Sequence, residues 1–396
     1  HVGNGQVIEN GTVIFDNGKI VYAGDAAAAP KAENTIDAKG KQVYPGLILP
    51  SSNLGLQEIT GVRGSTDINE IGEFNPSVRS IAAYKAESVI VNTLRLNGIL
   101  LAHTVPGGQL IAGQSSVVQL DAWNYEDAAY KTDMGMHFYM PSLLSRGGGR
   151  GFGRGFGGAA PAGDPIKEAL DKIESVKAIF REAKAYHQKG ADKQINLKLE
   201  ATKGLFNRTQ KLFVHCDQIK QMIVAIDFVK EFGFDVVLVG ASESWQIADL
   251  LKANNIAVIL TQEHSLPTTD DDDIDQPYKA ASVLQKAGVL FCLNDDDPQN
   301  RGRNLMFNAG TAAAYGLGKE GALQAITLNA AKILGVADKT GSLEVGKDAN
   351  IVISEGDILD MKSSIVTDAF IQGRAVAITS KHKQLYDRYK HKYEIK

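Results

Sequence analysis

Cysteine is nearly missing from this chain. Two residues among 396, Cys216 and Cys292, are too few for a disulfide framework or a cysteine-type zinc site. Each sits inside an apolar run, the setting of a buried thiol. Positive charge is not in excess either. With 42 Lys and Arg against 46 Asp and Glu the net charge is −4, so the basic face of a duplex-binding protein is not expected. No stretch of about 18 apolar residues exists, and no membrane-spanning helix is expected. No G-x-S-x-G turn is present, which removes the serine nucleophile elbow. The chain opens at His1 rather than Met, just before a strand. An upstream segment is therefore expected, either a cleaved leader with export of a soluble protein or a disordered stretch.

What is present is organised in two textures. "TVIFDNGKIVYAG" reads as two strands around Asp16-Asn17-Gly18, a hairpin signal. "ANIVIS" and "AFIQGRAVAI", the latter turning at Gln372-Gly373-Arg374, give the far end the same character. Chain termini tend to lie close together, so residues 1–45 and 340–380 are expected to pack as one small β domain, followed by a tail at 381–396. Between them, over 46–339, short runs rich in Val, Ile, Leu and Phe ("KLFVHC", "FDVVLVGA", "NIAVIL", "GVLFCLND") alternate with helical patterns. One such helix carries Ile219, Met222, Ile223, Ile226 and Val229 on one face and stops at Gly233. Repeated βα units imply a parallel sheet, and nearly 300 residues of them suit a (β/α)8 TIM-like barrel. A doubly wound sheet would want a Gly-rich turn after its first strand, and "LPSSNLG" is not one.

Several motifs have a bland reading. "GSLEVGKD" (341–348) lacks the Ser or Thr that a phosphate loop needs after Lys347, and a strand follows it. The Gly/Arg-rich run at 145–164 is expected to be a mobile lid or tether. Arg146, Arg150 and Arg154 are too few for a single-strand-binding segment. The run should feed a helix capped by Asp164, with Pro165 at its first position and Ile166, Leu170, Ile173, Val176 and Phe180 on one face. "TTDDDDID" (268–275) lacks the mid-loop Gly of a calcium site and reads as a solvated acidic loop.

In a barrel, chemistry gathers at the C-terminal ends of the strands. The polar residues there are Ser51 and Asn53, His103, His215 and Asp217, Ser242 and Glu243, Gln262, Glu263 and His264, and Asn294 to Asp297. His103 suits a hydrogen-bonded core histidine as well as a site. His264 suits an organiser of the "SLPTT" loop. Asp295 follows a fully apolar strand, where a lone carboxylate needs a partner. Asp217, Glu243 and Gln262 are candidates for substrate contact.

These residues carry a resemblance. "VYPGLILPSSN", "VHCD" and the long block from "GVLFCLNDDDPQ" to "GSLEVGKDANIVI" resemble the first, fifth and eighth strand regions of the amidohydrolase superfamily, in its imidazolonepropionase-like branch. The resemblance covers nearly the whole chain. It implies a barrel plus a composite β-sandwich built from both chain ends, and metal-assisted hydrolysis of a non-peptide C–N bond in a cyclic amide, imide or acyl-amino compound. There a zinc or similar divalent ion lowers the pKa of bound water. The family's ligands are a His-x-His pair after strand one, histidines on strands five and six, and an Asp on strand eight that also moves the proton. By resemblance the fifth-strand His is His215 and the eighth-strand Asp is Asp295. The pair falls on Ser51 and Asn53, and the sixth-strand His falls at Gly240. His215 and Asp295 alone give two ligands, whereas a catalytic zinc takes three, so His264 or His103 would have to supply another. Two readings follow. One is a hydrolase with a rearranged or depleted metal site, acting on a small molecule and forming a homo-oligomer. The other is a catalytically inactive relative without metal that binds or assembles, for instance with an active paralogue.

Overall fold

The computed structural model describes residues 1–144, 164–189, 194–261, 263–269, 271–296 and 302–395. Residues 145–163 of the Gly/Arg-rich run, Gln262 and Asp297 lie outside the described residues. Fourteen strands are described: β1 (Gly11–Asp16), β2 (Lys19–Asp25), β3 (Gln42–Pro45), β4 (Leu47–Ser52), β5 (Ile99–Thr104), β6 (Ile111–Gln119), β7 (Ala129–Tyr139), β8 (Lys211–Cys216), β9 (Val236–Gly240), β10 (Ala257–Leu260), β11 (Phe291–Leu293), β12 (Ile351–Ser354), β13 (Val366–Ile371) and β14 (Arg374–Ala375).

Strands β4 to β11 pair in chain order into one eight-stranded sheet that curls into a nearly closed barrel. Its two end strands meet where Ser51 N–H, on β4, donates to Oδ1 of Asn294, the residue after β11, at 3.2 Å. Ile48 N–H of β4 donates instead to the carbonyl of Ile326, after the helix Lys319–Ala325, at 3.0 Å. The strands are apolar on both faces, as buried parallel strands must be: Leu47, Ile48, Leu49, Leu212, Phe213, Val214, Val258 and Ile259 are fully buried. One departure from a strict (β/α)8 pattern is β6, which runs antiparallel to both β5 and β7. The link at 105–110 is too short for a parallel crossover, which needs about a dozen residues. The remaining barrel pairs are parallel.

The crossover helices follow the predicted periodicity with two shifts in phase. In Pro165–Gln188, capped by the Asp164 side chain, the buried stripe is Ala169, Ile173, Val176, Phe180 and Ala183. Leu170 lies beside that stripe and is exposed. In Ile219–Phe232 the buried face is Met222, Ala225, Ile226 and Phe228, which leaves Ile223 exposed. Gly233 ends this helix at φ 72°, a left-handed C-terminal position that favours glycine.

The two chain ends meet beneath the barrel. β3, from the N-terminal part, pairs antiparallel with β12, and the sheet continues through β13 to β14. The β1–β2 hairpin turns at Asn17 and Gly18, both at positive φ. It packs Ile20, Val13 and Phe15 against Ile351, Ile353 and Phe370 in a second apolar cluster. Both cysteines are free and buried.

Candidate functional site

The carboxyl ends of the barrel strands open into a cavity of about 530 Å³, within the size range of small-molecule sites. All five strand-end positions singled out by the resemblance line it: Ser51, Asn53, His215, Gly240 and Asp295. Asp217 and Asp296 bring further carboxylates, and Tyr139, from the end of β7, supplies one wall.

Asp295 is 2% exposed. Its Oδ2 accepts the Asn304 N–H at 2.7 Å, which satisfies part of the cost of burying a carboxylate. Asp296 Oδ2 accepts from the Thr261 hydroxyl at 2.8 Å. Burial, with Asp296 and Glu243 nearby, pushes the Asp217 carboxyl above its ordinary range, opposed by a hydrogen bond from the Ser242 backbone. His215 stacks on Tyr139, ring centroids 3.9 Å apart, and its Nε2 lies 2.9 Å from His137 Nδ1. Burial lowers its pKa to about 3, with His103 adding to the effect.

Other expected site residues sit elsewhere. His103 is fully buried in the core, with Nδ1 2.7 Å from the Pro50 carbonyl and Nε2 2.7 Å from Ser115 Oγ. It is not among the cavity-lining residues. His264 is exposed, its Nε2 2.6 Å from Thr311 Oγ1, and it too is absent from the cavity wall. Glu243 Oε2 accepts the Ile219 N–H at 2.8 Å. It therefore caps the helix Ile219–Phe232, where a negative charge meets the positive end of the helix dipole, and does not line the cavity. The proline in β4 accounts for the position of His103. Pairing with β5 slips between Leu49 and Ser52, because Pro50 has no N–H to give the ladder, and the Pro50 carbonyl turns to the imidazole instead.

Whether these residues suit a catalytic metal is decided at Gly240. It sits at φ 90°, and a Cβ built there would lie 2.5 Å from Asp217 Oδ1 and 3.3 Å from the Cys216 carbonyl. The space for a sixth-strand ligand is filled by the Asp217 carboxylate. Ser51 and Asn53 offer only neutral oxygens, poor donors for zinc, and with its Nε2 bonded to His137 the His215 ring brings a single nitrogen, Nδ1. Among the described residues no group of three or more His, Cys, Asp or Glu side chains could hold a metal ion. The donor set does not fit the three-ligand zinc site of a hydrolase.

Sequence reasoning missed Tyr139, His137 and Ser115. The alternation in "DMGMHFY" was the available signal for the strand that carries the first two.

The amidohydrolase family matches residues 171–376, just over half of the chain. The imidazolonepropionase of Staphylococcus saprophyticus is 26% identical over 374 residues, covering 89% of this chain and 85% of that protein. That of Thermoplasma volcanium is 24% identical over 368 residues, covering 88% and 85%. A solved amidohydrolase from Thermotoga maritima superposes with a TM-score of 0.77 at 25% identity, covering 92% of this chain and 94% of that one.

Proposed function

The chain belongs to the amidohydrolase family, and so to the hydrolases of carbon–nitrogen bonds other than peptide bonds; from that premise we propose that it binds a small cyclic amide, imide or acyl-amino compound in the cavity at the barrel mouth and cleaves it there with Asp295 as the proton-moving group. The observation that supports this reading is the convergence of the five strand-end positions singled out by the resemblance on one cavity, the buried Asp295 among them. Asp295 would take a proton from the attacking water and return it to the leaving nitrogen, as a general base and then acid. Ser51, Ser52 and Asn53 at the tip of β4 would offer hydrogen bonds to the substrate carbonyl. No step is assigned to a metal, because the donor set does not fit one.

A second reading keeps the cavity and drops the chemistry: a binding protein of the same fold. The filling of the Gly240 position by Asp217 favours it. Turnover across a panel of cyclic imides, lactams and N-acyl amino acids separates the two. Hydrolysis by the purified protein, lost in Asp295→Asn, supports the first. Saturable binding without turnover in the unaltered protein leaves the second.

A further inference from the structure

Behind the cavity wall, three imidazoles and one hydroxyl form a continuous hydrogen-bond chain. From the core outward, the Pro50 carbonyl lies 2.7 Å from His103 Nδ1. His103 Nε2 lies 2.7 Å from Ser115 Oγ. The same Oγ lies 2.7 Å from His137 Nε2, and His137 Nδ1 lies 2.9 Å from His215 Nε2. His103, Ser115 and His137 are fully buried. Only His215 lines the cavity.

The direction of every proton in this chain follows from its inner end. A carbonyl only accepts, so His103 carries its proton on Nδ1 and leaves Nε2 bare. That nitrogen must accept, and its partner is the Ser115 hydroxyl, which lies 2.7 Å from it against 3.4 Å from the Gly135 carbonyl and 3.9 Å from Met134 Sδ. With the single Ser115 proton directed to the nearest acceptor, His137 donates to the same oxygen through Nε2–H. His137 Nδ1 is then bare and accepts Nε2–H from His215. Four links use four protons, one from each neutral ring and one from the hydroxyl. A further proton on any inner nitrogen would set two hydrogens face to face. Burial agrees with neutrality: it lowers the pKa of His103 to about 4 and that of His137 well below its ordinary value. The remaining nitrogen, His215 Nδ1, has no hydrogen-bond partner among the described residues. The stack on Tyr139, whose hydroxyl donates to the Pro106 carbonyl at 3.0 Å, holds the ring in place.

We propose that this chain locks His215 as the Nε2–H tautomer and so makes its Nδ1 a fixed hydrogen-bond acceptor that selects ligands bearing a neutral N–H donor, such as an unsubstituted imide or lactam. His137 and Ser115 are positioning residues in this scheme. The histidine that the family's relatives would be expected to turn toward a metal instead reads the ligand. The proposal rests on the cavity being the ligand site, whether or not cleavage follows.

The test uses the full chain and two probes, succinimide and N-methylsuccinimide. These differ in the donor and little in shape. Succinimide should bind at least about tenfold more tightly, because the methylated probe leaves Nδ1 unpaired. In ligand-free protein labelled with ¹⁵N-histidine, two-bond ¹⁵N–¹H correlations should place the His215 proton on Nε2. Ser115→Ala should mix the tautomers of His137 and His215 and narrow the ratio between the probes, an effect that a merely structural serine would not produce. Equal affinity for both probes in the unaltered protein would overturn the selection while leaving the cavity reading intact. A His215 proton on Nδ1 would overturn the lock. Binding of neither probe would overturn the selection and the cavity reading together.

Discussion

The two sides of the cavity differ in chemistry. At the ends of β8 and β11 the cavity carries His215 and Asp295, an imidazole and a carboxylate. At the ends of β4 and β9 it has Ser51, Asn53 and Gly240, with no ionisable group among them. At Gly240 the backbone holds φ 90°, a conformation that only glycine adopts freely, and the Asp217 carboxylate occupies the space beside it. On the other side, the imidazole is held from behind by two buried histidines and a serine. One side is built around a glycine and a carboxylate, and the other around an imidazole held by its neighbours.

Acid should expose this contrast most strongly. Burial depresses the pKa of His103 to about 4, against roughly 6.5 in the unfolded chain. A depressed pKa means that the unfolded state takes up the proton first. The stabilisation is therefore complete above pH 6.5 and is lost as pH falls toward 4. For His103 alone the loss by pH 5 is about 2 kcal/mol, and His137 and His215, shifted the same way, add to it. The buried Glu263 carboxyl is shifted upward and acts in the opposite sense, so urea midpoints at pH 7.5 and pH 5 are best compared in Glu263→Gln. A flat profile there would break the idea of a neutral imidazole side.

Asp295→Asn should lower kcat by about 100-fold or more with little change in the urea midpoint, since general acid–base groups contribute at that level. Retained turnover would move the chemistry to Asp217 or Asp296. Gly240→His should destabilise the fold by about 1–3 kcal/mol, the cost of a left-handed φ at a residue bearing a side chain, with the contact to Asp217 added to it. Ser51→His and Asn53→His, at half-buried and exposed positions, should each cost no more than about 1 kcal/mol. Equal costs at all three would mean that Asp217 and the left-handed backbone do not restrict the Gly240 position. The smallest effect is expected at Glu243→Ala, which removes a charged helix cap worth about 1 kcal/mol and should leave ligand binding unchanged. A large loss of binding would return Glu243 to the site.

Local signals were legible wherever the chemistry is local. Asn17-Gly18 announces its turn, because both residues tolerate positive φ. Asp164-Pro165 announces a helix start. The strand ends that carry His215 and Asp295 were found from apolar runs that stop at a polar residue. What escaped was relational. His264 reads in sequence like a strand-end ligand, yet its ring turns to Thr311. His137 reads as one polar residue within a strand, yet it links His215 to Ser115 across β6, β7 and β8. The reversed β6 was missed because a strand of nine buried residues has no sequence mark of direction.

The amino-acid sequence by itself determined the elements, their order, the barrel class and which strand tips carry imidazole, carboxylate or neither, because periodicity, turn chemistry and residue type act over a few neighbours. Only the tertiary structure decided what those tips do together. Asp217 fills the place beside Gly240, and a carbonyl at Pro50 sets the proton of His215 through three intervening groups. Both follow from side chains far apart in the chain being brought within a few ångströms by the closing of the barrel, and no local pattern encodes that distance.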